Sequence, residues 1–301
     1  MIPFKEKNIP QIYVEWLDEN KESIEACINN PDKTGTNIWE ELGKTFGVER
    51  NTDIDPKKLK QALKESFLME QHGLCCYCGD EIKGHNSIEH WQPKNKFKTR
   101  TFDYNNLFLS CKESQRLQKY KIGKEVKTVA ELSEKVNLSE GIIRDYNRGK
   151  EETEGVTWKV PTPAHCDDNK SKYDSKEEQI VIIYPPDAEE YKDLITYTKE
   201  GKIELKGQPS KKQQQIIEDT IKVLALNCKA LEYRRRTTWE DTIDNFEILL
   251  MEDELLLEDV ESQREILETL KTNSVQPDEK GKLGAFFFVE VAAYESLENG
   301  Y

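Results

Sequence analysis

Cys75 and Cys78, separated by Cys76 and Tyr77 and followed by Gly79, constrain this chain more than any other feature. Two thiolates at this spacing on a tight knuckle reach one tetrahedral zinc, and a glycine directly after them favours the turn. Zinc then needs two further ligands. Cys111 and Cys166 are the candidates, with His165 and His85 in reserve. Ordinary buried cysteines are the plainer alternative, and for a lone thiol that reading would win. Here five of the seven cysteines and all four histidines lie between His72 and Cys166. A metal that prefers sulfur and nitrogen ligands produces that clustering. Cys27 and Cys228 sit in helical patterns and read as core, whereas Cys76, inside the knuckle, is expected to face away from the metal.

Ile88-Glu89-His90-Trp91 follows closely and reads as a short strand. Successive strand side chains point to opposite faces, so Glu89 and His90 diverge and can hold different jobs. A divalent ion that clamps a phosphate needs oxygen ligands, which suits Glu89. A water that attacks phosphorus needs a base titrating near neutrality, which suits His90. Alone, a Glu-His pair is weak evidence, because an isolated histidine is more often structural.

The wider pattern resembles the HNH endonuclease family, whose fold is a ββα-metal unit. Gln71-His72-Gly73-Leu74-Cys75-Cys76-Tyr77-Cys78, Ile88-Glu89-His90-Trp91-Gln92-Pro93-Lys94, Tyr104-Asn105-Asn106-Leu107 and Ser110-Cys111 resemble its PtuB branch, the nuclease component of Septu-type antiphage systems. Phe4 to Lys7, Pro10 to Trp16, Thr220 to Asn227 and Arg234-Arg235-Arg236 extend the likeness over most of the chain, apart from one insertion. The resemblance implies that His90 is the general base, that Glu89 binds a catalytic Mg²⁺ or Mn²⁺, and that Asn106 braces the hairpin and orients the histidine. It also implies a structural zinc on Cys75, Cys78, Cys111 and Cys166. A last metal ligand is implied in Cys166-Asp167-Asp168-Asn169-Lys170: alignment on Lys170 favours Asp168 and residue type favours Asn169. The implied activity is hydrolysis of nucleic-acid phosphodiesters, DNA foremost, in prokaryotic antiviral defence under a PtuA-like ATPase. Two alternatives are a zinc-stabilised binding module without catalysis and an HNH nuclease that cuts RNA.

Charge limits this reading. The net charge is −14, although affinity for phosphate normally comes from many Lys and Arg contacts. The basic loop bearing Lys94, Lys96, Lys98 and Arg100 is the local candidate for substrate contact, and a partner protein is the other source of binding. Arg234-Arg235-Arg236 reads as solvated or ion-paired more readily than as a phosphate site. No apolar run approaches membrane-spanning length, and the start lacks the basic and apolar regions of a signal peptide, so a cytoplasmic protein is expected. In a reducing compartment, clustered cysteines bind metal more readily than they form disulfides.

The expected fold class is α+β, mainly helical, with a small zinc-stapled ββα core and a βααβ insertion. Residues 1–72 read as a helical region, with Ile12 to Cys27 and Pro56 to Gln71 clearest and Asp55 as a cap. The nuclease core spans 73–119 and 162–178. Between its halves, residues 120–161 read as strand, helix from Thr128, helix from Ser139, and closing strand Thr157 to Pro161, with Asn137 ending the first helix. That order resembles a LysM module, and a docking role for the insertion is expected. Residues 179–301 form a mainly helical region that opens with a β-branched strand Ile180 to Tyr184, a helix Ala188 to Thr196 and a strand Lys202 to Leu205. The stripes Phe246 to Leu257 and Ala285 to Ala293 read as core helices.

Overall fold

Helices form first where apolar residues recur on one face. In α1 (Gln11–Asn29) the buried positions are Tyr13, Trp16, Asn20, Ile24 and Cys27, the spacing of a single helical stripe. Thr34 starts α2 (Gly35–Glu40) with a capping box: its hydroxyl accepts from the Asn37 N–H at 3.1 Å while the Asn37 side chain accepts from the Thr34 N–H. In α3 (Pro56–Glu70), Leu59, Leu63 and Phe67 are buried. These faces meet Phe102, Tyr104, Leu107 and Leu109 in one apolar cluster. A computed structural model describes residues 7–41, 56–84, 86–112, 117–136, 140–145, 147–161, 164–173, 181–252 and 259–298. Asp55, His85, Asn137 and Ser139 lie outside the described residues.

The hairpin that follows divides two cores. Strands β1 (Asn86–His90) and β2 (Leu107–Cys111) pair antiparallel, with Asn86 opposite Cys111, Glu89 opposite Phe108 and His90 opposite Leu107. Because alternate side chains leave opposite faces, Leu107 and Leu109 enter the N-terminal cluster. Phe108 enters a second one with Ile182, Tyr197, Ile203, Val223, Leu231 and Val289.

The insertion forms its own small unit. Strands β3 (Leu117–Lys121) and β4 (Thr157–Pro161) pair antiparallel, and α4 (Val129–Val136) and α5 (Glu140–Asp145) lie between them in sequence. Tyr120, Val129, Leu132, Ile143, Trp158 and Val160 make a separate core. The Thr128 hydroxyl accepts from the Glu131 N–H at 3.1 Å, which caps α4. The next helix, α6 (Asp167–Lys170), is only four residues long.

Two sequence expectations fail in the next stretch. The run expected as a strand up to Tyr184 is unpaired over residues 181–184: Ile182 and Ile183 are buried, but the Ile183 N–H donates to the Thr220 hydroxyl at 2.9 Å instead of to a neighbouring strand. The expected helix Ala188 to Thr196 is a 3-10 helix over Pro185–Leu194, opened by two prolines. Its β-branched end, Ile195–Tyr197, is β5 and pairs with β6 (Ile203–Leu205). Helices α7 (Lys211–Val223), α8 (Lys229–Glu252), α9 (Val260–Ser274) and α10 (Phe287–Glu298) complete the chain, and Phe246, Leu250, Leu267 and Tyr294 pack where the last three meet. The leucine-rich end of α8 is therefore only partly core, since Ile248 and Met251 are exposed. Lys135 of the insertion places its ammonium 4.3 Å from the Tyr233 ring centroid on α8. The architecture is α+β, mainly helical with small antiparallel sheets, and no described helix is long and apolar enough to cross a membrane.

Candidate metal centre and carboxylate site

The Cys75–Cys78 knuckle is closed by two backbone bonds, Cys75 N–H to Asp80 O at 2.8 Å and Gly79 N–H to Cys75 O at 3.0 Å. Gly79 has φ +72, and a Cβ there would stand 2.2 Å from the Phe288 ring, so both conformation and space require glycine. The end of β2 supplies Cys111. Cys166, itself at φ +53, supplies the fourth sulfur from the residue before α6.

All four ligand atoms lie within 4.8 Å of one another and all four residues are buried. Cys75 and Cys166 sulfurs are 3.9 Å apart, and those of Cys78 and Cys111 are 3.8 Å apart. A tetrahedron with zinc–sulfur bonds of about 2.3 Å has edges of about 3.8 Å. Sulfurs bonded to each other would stand at about 2.05 Å, so these are not disulfides. The donor set therefore fits a structural zinc, and the two distant cysteines do meet across the insertion.

Groups around the cluster suit a bound dianion. The Cys111 N–H donates to the Cys75 sulfur at 3.4 Å, and His165 Nδ1 stands 3.2 Å from the Cys166 sulfur and 3.8 Å from that of Cys111. His165 thus lies beside the four sulfurs. Burial, with the Arg234 charge next, lowers its pKa to about 4, so the ring is neutral near pH 7. Of the arginine run, Arg235 is 1% exposed, donates to the Leu226 carbonyl and feels the charge of Cys78, while Arg234 pairs with Asp80. Neither serves as a solvated phosphate contact. A buried guanidinium beside a tetrathiolate offsets its negative charge. Arg235→Leu is expected to weaken zinc binding by about 10- to 100-fold, read by competition with a chromophoric chelator; unchanged affinity would refute this role.

Glu89 and His90 diverge from β1 as strand geometry requires. Glu89, 5% exposed, turns to the zinc side. Its Oε1 accepts from the Tyr77 hydroxyl at 3.0 Å, so the knuckle itself touches this carboxylate, and Lys170 Nζ lies 2.6 Å from the same oxygen. Lys170, 4% exposed, also donates to the His90 carbonyl at 2.9 Å. The neighbour of Glu89 on α6 is Asp167. Its Oδ2 accepts from the Ser87 hydroxyl at 2.8 Å, and burial, then the Glu89 charge and a hydrogen bond to Glu89, push its pKa up to about 7. The buried Glu89 carboxylate and the half-buried Asp167 carboxylate beside it offer the hard oxygen donors that a divalent cation takes.

The two residues expected from sequence for the last ligand are placed as follows. The Asn169 amide donates to Val223 O at 2.8 Å, and its Oδ1 accepts from Lys172 at 2.8 Å. Asp168 acts electrostatically on His165 at the cysteine cluster. Both ends of the four-residue helix after Cys166 reach β1: Asp167 accepts from Ser87, and Lys170 bonds Glu89 and the His90 carbonyl, whereas Asn169 between them bonds Val223.

His90, 3% exposed, faces the N-terminal core, with its ring edge-on to Trp39 at 4.6 Å between centroids. Nε2 is 3.0 Å from the Thr101 carbonyl. A carbonyl only accepts, so Nε2 carries the hydrogen and Nδ1 keeps its lone pair. Burial, followed by the Lys94 charge, holds the His90 pKa at about 3. Asn106 fixes the loop that presents Thr101: its Oδ1 accepts from Gln92 N–H at 2.7 Å, and its Nδ2 donates to Gln92 O at 3.1 Å and Arg100 O at 3.0 Å.

The basic loop is partly engaged elsewhere. Arg100 pairs with Asp103 at 2.7 Å and donates to Gln92, and Lys98 donates to Asn30 O at 3.3 Å. Lys94 is half-buried and Lys96 exposed. Gly35 of α2 seats against this loop so closely that a Cβ would stand 2.1 Å from Lys94 O. Sequence reasoning missed Asp167, Tyr77, Thr101 and the Trp39 contact. Only Asp167 carried a signal, its place directly after a metal-ligand cysteine. No protein-family model matches this sequence, and no curated protein matches it.

Proposed function

We propose that the chain is a metal-dependent nuclease of the HNH type, of the PtuB branch, which hydrolyses nucleic-acid phosphodiesters in antiviral defence under the control of a PtuA-like ATPase. The observation that carries this reading is the meeting of Glu89 and Asp167, on the hairpin and the short helix of a cysteine-stapled ββα unit, with His90 next in line on the strand. Glu89 and Asp167 would hold a divalent cation, Mg²⁺ or Mn²⁺, which supplies charge stabilisation to the phosphorus centre and the leaving oxygen.

His90 removes the proton from the attacking water at Nδ1. The oxygen–phosphorus bond forms as the bond to the leaving oxygen breaks, and that oxygen takes up a proton from solvent. Thr101 holds the opposite ring nitrogen, and Asn106 holds the loop that carries Thr101. A pKa of about 3 keeps His90 in its base form but, because the ring is buried, lies well below the near-neutral value expected from sequence for a general base; an arriving phosphate, being anionic, raises its proton affinity toward that range. Lys170 fixes the Glu89 carboxylate and the His90 carbonyl together, so both side chains are aimed from one anchored strand end.

A net charge of −14 favours an assembly in which a partner helps to present the substrate. The separate core of residues 120–161 suits a docking module for that ATPase. The test is incubation of the chain, alone and co-purified with its ATPase, with plasmid DNA and with total RNA, with and without Mg²⁺. Mg²⁺-dependent cleavage of either is expected, with DNA preferred; no cleavage of either by the complex would reject the reading.

A further inference from the structure

Lys60 and Lys64 lie one helical turn apart on α3, and Lys112 follows the last residue of β2. All three are half-buried beside the end of the hairpin where Asn86 opposes Cys111, and Lys64 Nζ donates to the Asn86 carbonyl at 3.4 Å. The ammonium of Lys64 is lowered by burial, then by the charges of Lys112 and Lys60. Its electrostatic neighbours are thus like charges. Among the described residues no carboxylate pairs with any of the three. In a chain with 58 acidic and 44 basic side chains, such a group is against the average. Mutual repulsion and partial desolvation both cost stability, and an anion lying across all three would relieve both.

We propose that Lys60, Lys64 and Lys112 form a phosphate-binding ridge that holds the nucleic-acid backbone away from the scissile bond. The ridge stands at the Asn86 end of β1, and Glu89 and His90 stand at the other. Three to four strand residues at about 3.3 Å each separate the two by roughly 10–13 Å. At about 3.4 Å of rise per nucleotide along one strand, the ridge meets phosphates about three to four nucleotides from the cut. With Lys98 and Arg100 engaged by Asn30, Gln92 and Asp103 of the same chain, this end of the hairpin adds a basic contact to those that Lys94 and Lys96 leave in the loop after β1. The inference rests on the nuclease reading for the identity of the anion, a phosphodiester chain.

The experiment compares the full chain with K60Q/K64Q/K112Q by fluorescence anisotropy on a labelled DNA duplex and on an RNA duplex of the same sequence, with Ca²⁺ replacing Mg²⁺. Neutralising three phosphate contacts lowers the slope of log affinity against log salt by about 2–3, and affinity at low salt should fall at least tenfold. Zinc content and melting temperature should hold or rise, because repulsion is removed. An unchanged slope on both duplexes overturns the ridge, and if the wild-type chain still cuts plasmid the nuclease reading stands without it. A wild-type chain that binds through the three lysines, with neither DNA nor RNA cut by the chain or by its complex with the ATPase, keeps the ridge and rejects the nuclease. A wild-type chain that binds neither duplex overturns the ridge.

Discussion

Stripping the metal from the Cys75–Cys78–Cys111–Cys166 cluster is expected to unfold the central core, and Cys166→Ser is expected to do the same. The four sulfurs come from the knuckle, the end of β2 and the residue before α6, so one ion ties together three segments that are otherwise distant in sequence. A helix of four residues has no stability of its own. Structural zinc contributes apparent binding energies of about 10–16 kcal/mol, while a whole domain is stable by about 5–15 kcal/mol. Loss of the ion therefore removes as much as the fold has to lose. Elemental analysis should find one zinc per chain, and chelation should abolish the cooperative thermal transition seen by circular dichroism. Cys228→Ser, outside the cluster, should retain both. A chelated, zinc-free protein that melts at the unaltered temperature would refute the staple.

The second large effect concerns α6. On the proposed nuclease reading, Asp167→Ala should lower divalent-dependent cleavage about 10³-fold or more, a barrier increase of about 4 kcal/mol, because it would remove one of the two carboxylates proposed to hold the cation. Asn169→Ala should leave the rate of chemistry within a few-fold. Its amide bonds Val223 and Lys172, so its loss should appear as about 1–3 kcal/mol of stability in a denaturant titration. Reversal of this order, with Asn169 required and Asp167 dispensable, would return the last ligand to the position that residue type favours. Lys170→Met probes a third role: its ammonium bridges Glu89 and the His90 carbonyl, so zinc should be retained while cleavage falls.

Much of this arrangement was legible in residue order because the chemistry is local. The Cys-x-x-Cys spacing and the following glycine specify a knuckle, and a strand places Glu89 and His90 on opposite faces whatever surrounds it. Periodic apolar stripes located α1 and α3, and the strand expected over Lys202 to Leu205 is β6. What escaped depends on distant partners. No local pattern says which of Asp167, Asp168 and Asn169 faces β1, since that follows from the unusual backbone of Cys166. The arginines at 234–236 look alike in sequence, yet one is sealed beside the cysteines because α8 packs there. Residues 181–184 have strand composition but meet a helix, and Thr220 takes the donor that a strand would have claimed.

The most direct measurement is a titration of Mn²⁺ into the zinc-loaded protein, followed by electron paramagnetic resonance of the free ion. One saturable site is expected in the wild-type chain and in Asn169→Ala, and its loss in Glu89→Ala and Asp167→Ala, with zinc content equal in all four. A saturable site that survives both carboxylate substitutions, or no site in the wild type, would contradict the assignment of Glu89 and Asp167 as the cation-holding pair.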